Sequence, residues 1–178
     1  MTGSKQRPLL FVDVDGPLIP FGAAPGEYPA YQARSSRHAE ENPLVARINP
    51  EHGKRLSALD CELIWATSWM DDVNDCIAPR LGLPQLAIVA WPDAPATEEP
   101  DVRDSSGRPG PSSPRPEGRP FVWLDDEITN SDRVWVSANY PGPALLHRVN
   151  PNSGLTHDYS AVEEWLRTIH TAPPLGVP

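Results

Sequence analysis

Residues 9–16 decide the fold, and they read Leu-Leu-Phe-Val-Asp-Val-Asp-Gly. An apolar run that stops at a turn signal is typical of a buried strand. Side chains two residues apart on a strand point to the same side, so we expect Asp13 and Asp15 to lie close together at its carboxyl end. Open α/β sheets bind their ligands at that end. Two neighbouring carboxylates need a cation or a shared proton, although an ordinary Asp-Gly turn explains the same residues.

Length and charge limit the classes of function. The chain has 178 residues, enough for one domain with a hydrophobic core. Its formal net charge of −9 argues against non-specific binding to nucleic acids or membrane surfaces, because both are anionic. The apolar run before Asp13 is too short for a signal peptide, and no stretch approaches the roughly 20 apolar residues of a membrane span. We therefore expect a cytoplasmic protein that makes no contact with membranes.

Patterns typical of strands and helices alternate along the chain. After the first strand, further strands are predicted at 61–69, 86–90, 121–124 and 144–149. Helices are predicted at 49–60, at 71–81, near 131–137 and after Thr156. Such alternation predicts an α/β domain that spans residues 1–178, with a mainly parallel sheet covered by helices on both faces.

One segment interrupts this alternation. From about residue 92 to 118 Pro, Glu, Asp, Ser, Gly and Arg dominate, and apolar residues are scarce. Such a composition cannot bury enough apolar surface to offset the entropy lost on ordering. We therefore expect a poorly ordered insert in the domain, and a frayed tail from about Pro173.

Three of the predicted strands end in polar side chains. The first strand is followed by Asp13 and Asp15, the second contains Thr67 and Ser68 at its end, and the fourth is followed by Asp125 and Asp126. Because the carboxyl ends of parallel strands share one edge of a sheet, these groups are expected to converge. Oxygen ligands without His or Cys suit Mg²⁺. Taken alone, the Asp-Asp pair is weak evidence for a metal site, because two aspartates after a strand can also cap the next helix.

These motifs resemble those of the haloacid dehalogenase (HAD) superfamily of phosphohydrolases. The matching segments are Asp-Val-Asp-Gly at 13–16, Thr67 with Ser68 as the alternative, and Leu-Asp-Asp at 124–126. Together with Trp-Ala-Thr-Ser-Trp at 65–69 and Asn-Pro-Asn-Ser-Gly-Leu-Thr at 150–156, the set looks like the small bacterial HAD domains grouped with RNA-repair proteins. The resemblance implies a three-layer α/β/α sandwich. It is expected to be essentially capless, because neither the loop after the first strand nor the insert has the periodic apolar residues of a folded cap.

The resemblance also implies an activity, that of a Mg²⁺-dependent phosphatase that forms an aspartyl-phosphate. Asp13 would be the nucleophile, and Asp15 the general acid and base. Thr67 would hydrogen-bond the phosphoryl group, with Gly16 and Ser68 beside the substrate. The implied metal ligands are Asp13, the backbone carbonyl of Asp15, Asp125 and Asp126. An uncapped site would admit small phosphomonoesters as well as the phosphorylated ends of nucleic acids or proteins.

One expected residue is missing. The family's third motif is a basic residue, usually Lys, before the fourth strand, but both lysines of this chain, Lys5 and Lys54, precede Thr67. Arg119 is the basic residue nearest that strand and becomes the candidate, although its guanidinium is not equivalent to an ammonium. The missing lysine also leaves open a weak or inactive HAD-like binding domain. A phospho-acceptor signalling domain is a third alternative, but the third strand lacks an acceptor at its end.

Overall fold

Five parallel strands form a single sheet in the structure, which is a computed structural model that describes residues 7–24, 26–31, 43–89 and 118–171. The strands are β1 (Leu9–Val12), β2 (Glu62–Trp65), β3 (Ala87–Ile88), β4 (Phe121–Asp125) and β5 (Ala144–Arg148). They are ordered β3-β2-β1-β4-β5 across the sheet. The prediction of a parallel sheet within an α/β fold is confirmed.

The middle strand, β1, is buried along its whole length. This explains its unbroken apolar sequence, since a central parallel strand is covered on both faces. Its register aligns Val12 with Trp65 of β2 and with Leu124 of β4. The segments that follow these three strands therefore leave the sheet at the same level.

Four α-helices lie in the described residues: α1 (Glu51–Ala58), α2 (Ala78–Leu81) and α3 (Asn130–Asn139) stand between strands, and α4 (Asp158–Thr171) follows β5. Local sequence sets several of their ends. Thr129 and Asp132 form a reciprocal capping box at the start of α3. Gly82 ends α2 with a φ of 66°, a conformation that glycine adopts without strain.

Helices cover both faces of the sheet. On one face, Leu10 of β1 belongs to a buried cluster with Leu56 of α1 and Val162 of α4. On the other face, Phe11 belongs to a second cluster with Val136 of α3. Successive residues of β1 thus contribute to opposite sides of the core, as the two-residue period of a strand requires.

Several boundaries differ from the sequence predictions. The second strand ends at Trp65, because residues 67–70 form a turn. Helix α1 begins at Glu51, whose backbone N–H donates to the Asn49 side chain at 3.0 Å. The helix predicted from residue 71 starts as a π-helical turn (Val73–Ile77) that continues into α2.

Other predictions fall on residues that are not described. The insert predicted at about 92–118, except Gly118, and the tail from Pro173 lie outside the described residues. The capless expectation depends on the insert and on residues 32–42, which also lie outside them. Among the described helices, none combines the length and the apolar character that crossing a membrane requires.

Candidate active site

The candidate site lies where the direction of chain winding changes. From β1 the chain proceeds to β2 and β3 on one side, whereas β4 and β5 lie on the other. Neighbouring parallel strands whose connections run in opposite directions leave a crevice at their carboxyl ends, where ligands of open α/β folds bind. The N–H of Asp13 donates to the carbonyl of Leu124 at 3.0 Å, which fixes the segment after β1 against the end of β4.

Three carboxylates meet at this crevice. Asp13, Asp125 and Asp126 each offer one carboxylate oxygen, and these atoms lie within 4.8 Å of one another. Asp125 and Asp126 are each only 8% exposed. The sequence prediction that the ends of the first and fourth strands converge is therefore matched by the geometry.

Burial and mutual repulsion make these carboxyls difficult to ionise. Burial, followed by the charge of Asp125, raises the pKa of Asp13 to about 8, although hydrogen bonds from the Val14 backbone and the Thr67 side chain oppose the shift. Burial is also the main cause that raises the pKa of Asp125 and of Asp126. Such a group needs either protons or a cation to offset its charge.

The donor set suits a small, hard cation. Three carboxylate oxygens, with no His or Cys in the group among the described residues, could hold a divalent cation that prefers oxygen ligands. The side chain of Asp15 is not one of the three. Its expected contribution to a metal site is its backbone carbonyl, and that remains a prediction.

Backbone contacts hold the carboxylates of β4 in place. The N–H of Glu127 donates to Asp125 Oδ1 at 2.7 Å, and the N–H of Val149 donates to the Asp125 carbonyl at 3.0 Å. The Nε of Arg148 donates to the Asp126 carbonyl at 2.8 Å. Arg148 was not anticipated from the sequence, yet as the last residue of β5 it had to lie at this same edge.

The residues predicted beside the phosphoryl group lie around the same crevice. Gly16 is buried and packs directly against Asp126. Thr67 is only 2% exposed, and the N–H of the preceding Ala66 donates to the Val12 carbonyl at 2.9 Å, which holds the end of β2 beside β1. Ser68 is exposed in the turn that follows.

Asp15 has a partner that the sequence did not indicate. The indole Nε1 of Trp69 donates to Asp15 Oδ2 at 2.9 Å. The charge of Asp15 is also among the causes that raise the pKa of Asp13 and of Asp126. Asp15 is therefore electrostatically part of the carboxylate group, and a side chain from the turn after β2 holds it.

Arg119 is not brought to this crevice. It precedes β4, so it lies at the amino-terminal edge of the sheet, opposite Asp125. There its Nη2 forms an ion pair with Glu62 Oε2 at 2.7 Å and also donates to the Arg7 carbonyl. The structure thus gives Arg119 a structural partner at the edge where β2 begins and does not place it near the three carboxylates.

No protein-family model, curated protein or solved structure matches this chain.

Proposed function

We propose that this protein is a Mg²⁺-dependent phosphohydrolase with an essentially capless HAD-like fold. The observation that carries the proposal is the convergence of Asp13, Asp125 and Asp126 within 4.8 Å at the topological switch point. Burying like charges together destabilises a protein. Perturbed carboxyls in a crevice are typical of functional sites, and the neighbouring Asp15 and Thr67 supply the further groups that phosphoryl transfer needs.

The reaction begins with attack by Asp13. A carboxylate oxygen of Asp13 forms a bond to phosphorus while the bond from phosphorus to the ester oxygen breaks. The departing oxygen takes a proton from the Asp15 carboxyl and leaves as an alcohol. Asp13 is then an acyl phosphate, and Asp15 is a carboxylate. Such covalent catalysis divides one difficult displacement into two easier ones.

Water completes the cycle. Asp15, now a carboxylate, takes a proton from a water molecule whose oxygen attacks phosphorus. The bond between phosphorus and Asp13 breaks, inorganic phosphate leaves, and both aspartates return to their initial states. The net reaction is hydrolysis of a phosphomonoester to an alcohol and phosphate.

The remaining residues bind and orient the substrate. Thr67 can donate its hydroxyl proton to a phosphoryl oxygen, while Gly16 and Ser68 border the same space. Asp13, the Asp15 carbonyl, Asp125 and Asp126 would hold Mg²⁺. When bound, the ion masks the repulsion between carboxylate and phosphate and stabilises the charge that develops during transfer.

A non-catalytic HAD-like binding domain is a second candidate, and the distribution of cations favours it. Lys54, the one lysine among the described residues, lies on α1 and pairs with Glu51 at 2.6 Å. Arg119 lies at the far edge of the sheet. Among the described residues, Arg148 is the cation that contacts the segment of Asp125 and Asp126. Its Nε donates to the backbone carbonyl of Asp126.

Three classes of substrate fit this proposal. A small phosphomonoester, a nucleic-acid phosphate end and a phosphoprotein all present the same dianion to the crevice. The net charge of −9 disfavours non-specific contacts with a nucleic-acid backbone, so a nucleic-acid substrate would be bound at its terminus. We propose a cytoplasmic location for this activity, without a membrane partner.

The test is phosphate release from the full-length protein with and without Mg²⁺. The substrates are small phosphomonoesters, phosphopeptides and oligonucleotides with 3′- or 5′-phosphates, and Asp13→Asn serves as the inactive control. Mg²⁺-dependent release that the Asp13→Asn variant lacks would support the phosphohydrolase. Stabilisation by Mg²⁺ without release from any substrate would favour the binding domain instead.

A further inference from the structure

We propose that Trp69 is a positioning residue that orients the Asp15 carboxyl group for its two proton transfers. This inference rests on the proposed function. The observation is the hydrogen bond from Trp69 Nε1 to Asp15 Oδ2, at 2.9 Å, which links the turn after β2 to the segment after β1. A general acid must point its proton at the leaving oxygen, so a contact that fixes its carboxyl plane affects the rate of transfer.

The surroundings of Trp69 fix its own position. Its ring is half-buried and packs against the core cluster on the α1 and α4 face of the sheet. Its backbone N–H approaches Thr67 Oγ1 at 3.5 Å, which places the indole in the same turn as the predicted phosphate-binding hydroxyl. The next residue, Met70, has a φ of 50°, which L-residues other than Asn and Asp rarely adopt. A backbone conformation of this kind persists only where the surrounding structure enforces it.

The chemistry of the indole determines which oxygen carries the proton. A tryptophan side chain is a hydrogen-bond donor only, so Asp15 Oδ2 must accept. The carbonyl oxygen of a neutral carboxyl is its stronger acceptor, so this hydrogen bond favours the protonated form of Asp15 that carries its hydrogen on Oδ1. The O–H bond at Oδ1 breaks as the proton passes to the leaving oxygen, and Oδ1 later takes a proton from the attacking water. Because the indole is neutral, the same hydrogen bond serves both the carboxyl and the carboxylate.

The proposal predicts a dependence on the leaving group. An alkoxide leaves only if it is protonated, whereas p-nitrophenolate is stable enough to leave without a proton. The value of kcat/KM covers the steps up to release of the first product. A misoriented Asp15 should therefore lower kcat/KM for alkyl phosphates and leave kcat/KM for p-nitrophenyl phosphate nearly unchanged.

The experiment compares the parent with Trp69→Phe, using glycerol phosphate and p-nitrophenyl phosphate in Mg²⁺. We expect kcat/KM to fall at least about tenfold for the alkyl ester and less than about threefold for the aryl ester, since protonation by a general acid is worth ~10²-fold or more. In an Asp15→Asn background the same change should have no further effect on the alkyl ester. Trp135→Phe, on α3 at an exposed position, is the matched control.

A second variant separates the hydrogen bond from packing. β-(3-Benzothienyl)alanine at position 69 keeps the ring shape and replaces N–H with sulfur, so it should reproduce the selective loss even if Trp69→Phe does not fold. Equal losses for both esters, or no loss for either, would overturn the positioning role while leaving the phosphohydrolase intact. Absence of Mg²⁺-dependent release by the parent from these esters, from phosphopeptides and from oligonucleotide 3′- and 5′-phosphates would overturn both proposals.

Discussion

Gly16 packs so closely against Asp126 that a β-carbon on Gly16 would lie 2.5 Å from the Asp126 carboxylate carbon. The φ of Gly16 is +84°, which side chains other than hydrogen disfavour. This contact joins the loop after β1 to the end of β4, and it brings two of the three sequence motifs together. Gly16 therefore allows the close approach of the Asp126 carboxylate as well as the backbone conformation of the turn.

Gly16→Ala should displace Asp126 and weaken any metal site. We expect it to lower the free energy of unfolding by more than about 2 kcal/mol, since backbone strain and a side-chain overlap act together. Gly82→Ala is the matched control, because Gly82 also has a positive φ but open space around it. That variant should lose only about 1 kcal/mol and keep its response to Mg²⁺, and denaturant unfolding with and without the ion measures both effects. Equal behaviour of the two variants would contradict the proposed contact.

Asp13→Asn should abolish turnover and preserve the fold. Because the amide is a poor nucleophile, we expect at least ~10³-fold lower kcat on any phosphomonoester that the parent hydrolyses. The exposed Asp75 on the π-helical turn provides the control, and Asp75→Asn should leave kcat unchanged. An Asp13→Asn variant as fast as the parent would exclude an aspartyl-phosphate on Asp13.

The stability of the metal-free protein should fall as the pH rises from about 4 to about 8. The pKa of Asp13 is raised from its ordinary value of 3.8 to about 8, so in this window the folded state holds a proton that the unfolded chain has released. A folded state that binds more protons loses stability as the pH increases. Burial lowers the pKa of His52 to about 4, and this contributes the opposite slope below its ordinary value of 6.5.

The Asp13 effect is isolated by comparing the parent with Asp13→Asn, because His52 contributes equally to both. The difference in free energy of unfolding between them should change across pH 4–8, and saturating Mg²⁺ should remove that change by holding Asp13 ionised. A constant difference across this range would show that Asp13 is not buried against Asp125 as the structure has it.

Mg²⁺ should stabilise the parent by mass action. A ligand that binds only the folded state adds about 2.7 kcal/mol at a concentration near 100 times its Kd, which corresponds to roughly 5–10 °C in Tm for a chain of this size. Asp125→Ala should abolish the shift because it removes one of the three oxygen ligands. Glu163→Ala, at an exposed position on α4, should retain it. A parent Tm that does not respond to several millimolar Mg²⁺ would argue against the site.

Arg119→Ala should affect stability and leave turnover unchanged. Its ion pair with Glu62 is partly exposed and lies at the amino-terminal edge of the sheet. Such pairs contribute at most about 1 kcal/mol, so we expect a small decrease in the free energy of unfolding. A large fall in kcat would mean that Arg119 reaches the substrate, contrary to its position in the structure.

The sequence was sufficient to predict the strands and the edge at which their polar ends meet. β1 and β4 are short apolar runs closed by Asp, and the register aligns their ends. The position of Arg119 before β4 also excludes it from this edge. A residue before a parallel strand lies at the opposite edge from a residue after it, so Arg119 and Asp125 cannot share a site at one end of β4.

Contacts made by turns were beyond prediction from the sequence. The bond from Trp69 to Asp15 depends on the turn after β2, which also contains the positive φ of Met70. Asn74 is a further case. Its Oδ1 accepts hydrogen bonds from the indole N–H of Trp65 at 3.1 Å and from the backbone N–H of Leu86 at 2.9 Å. Hydrophobic periodicity identifies which elements form, but it carries no information on which polar atoms face each other across loops.

The strand order in the sheet has a consequence for the order in which strands can pair while the protein is being synthesised. Of the five described strands, β1 is synthesised first and can pair with β2 soon afterwards, but its other neighbour, β4, comes much later in the chain. Until β4 emerges from the ribosome, one edge of the most apolar strand stays unpaired, and an open edge of this kind is prone to pair with other chains. The carboxylate group can therefore assemble only after β4 has joined β1, so bound Mg²⁺ would stabilise only chains in which these two strands are paired.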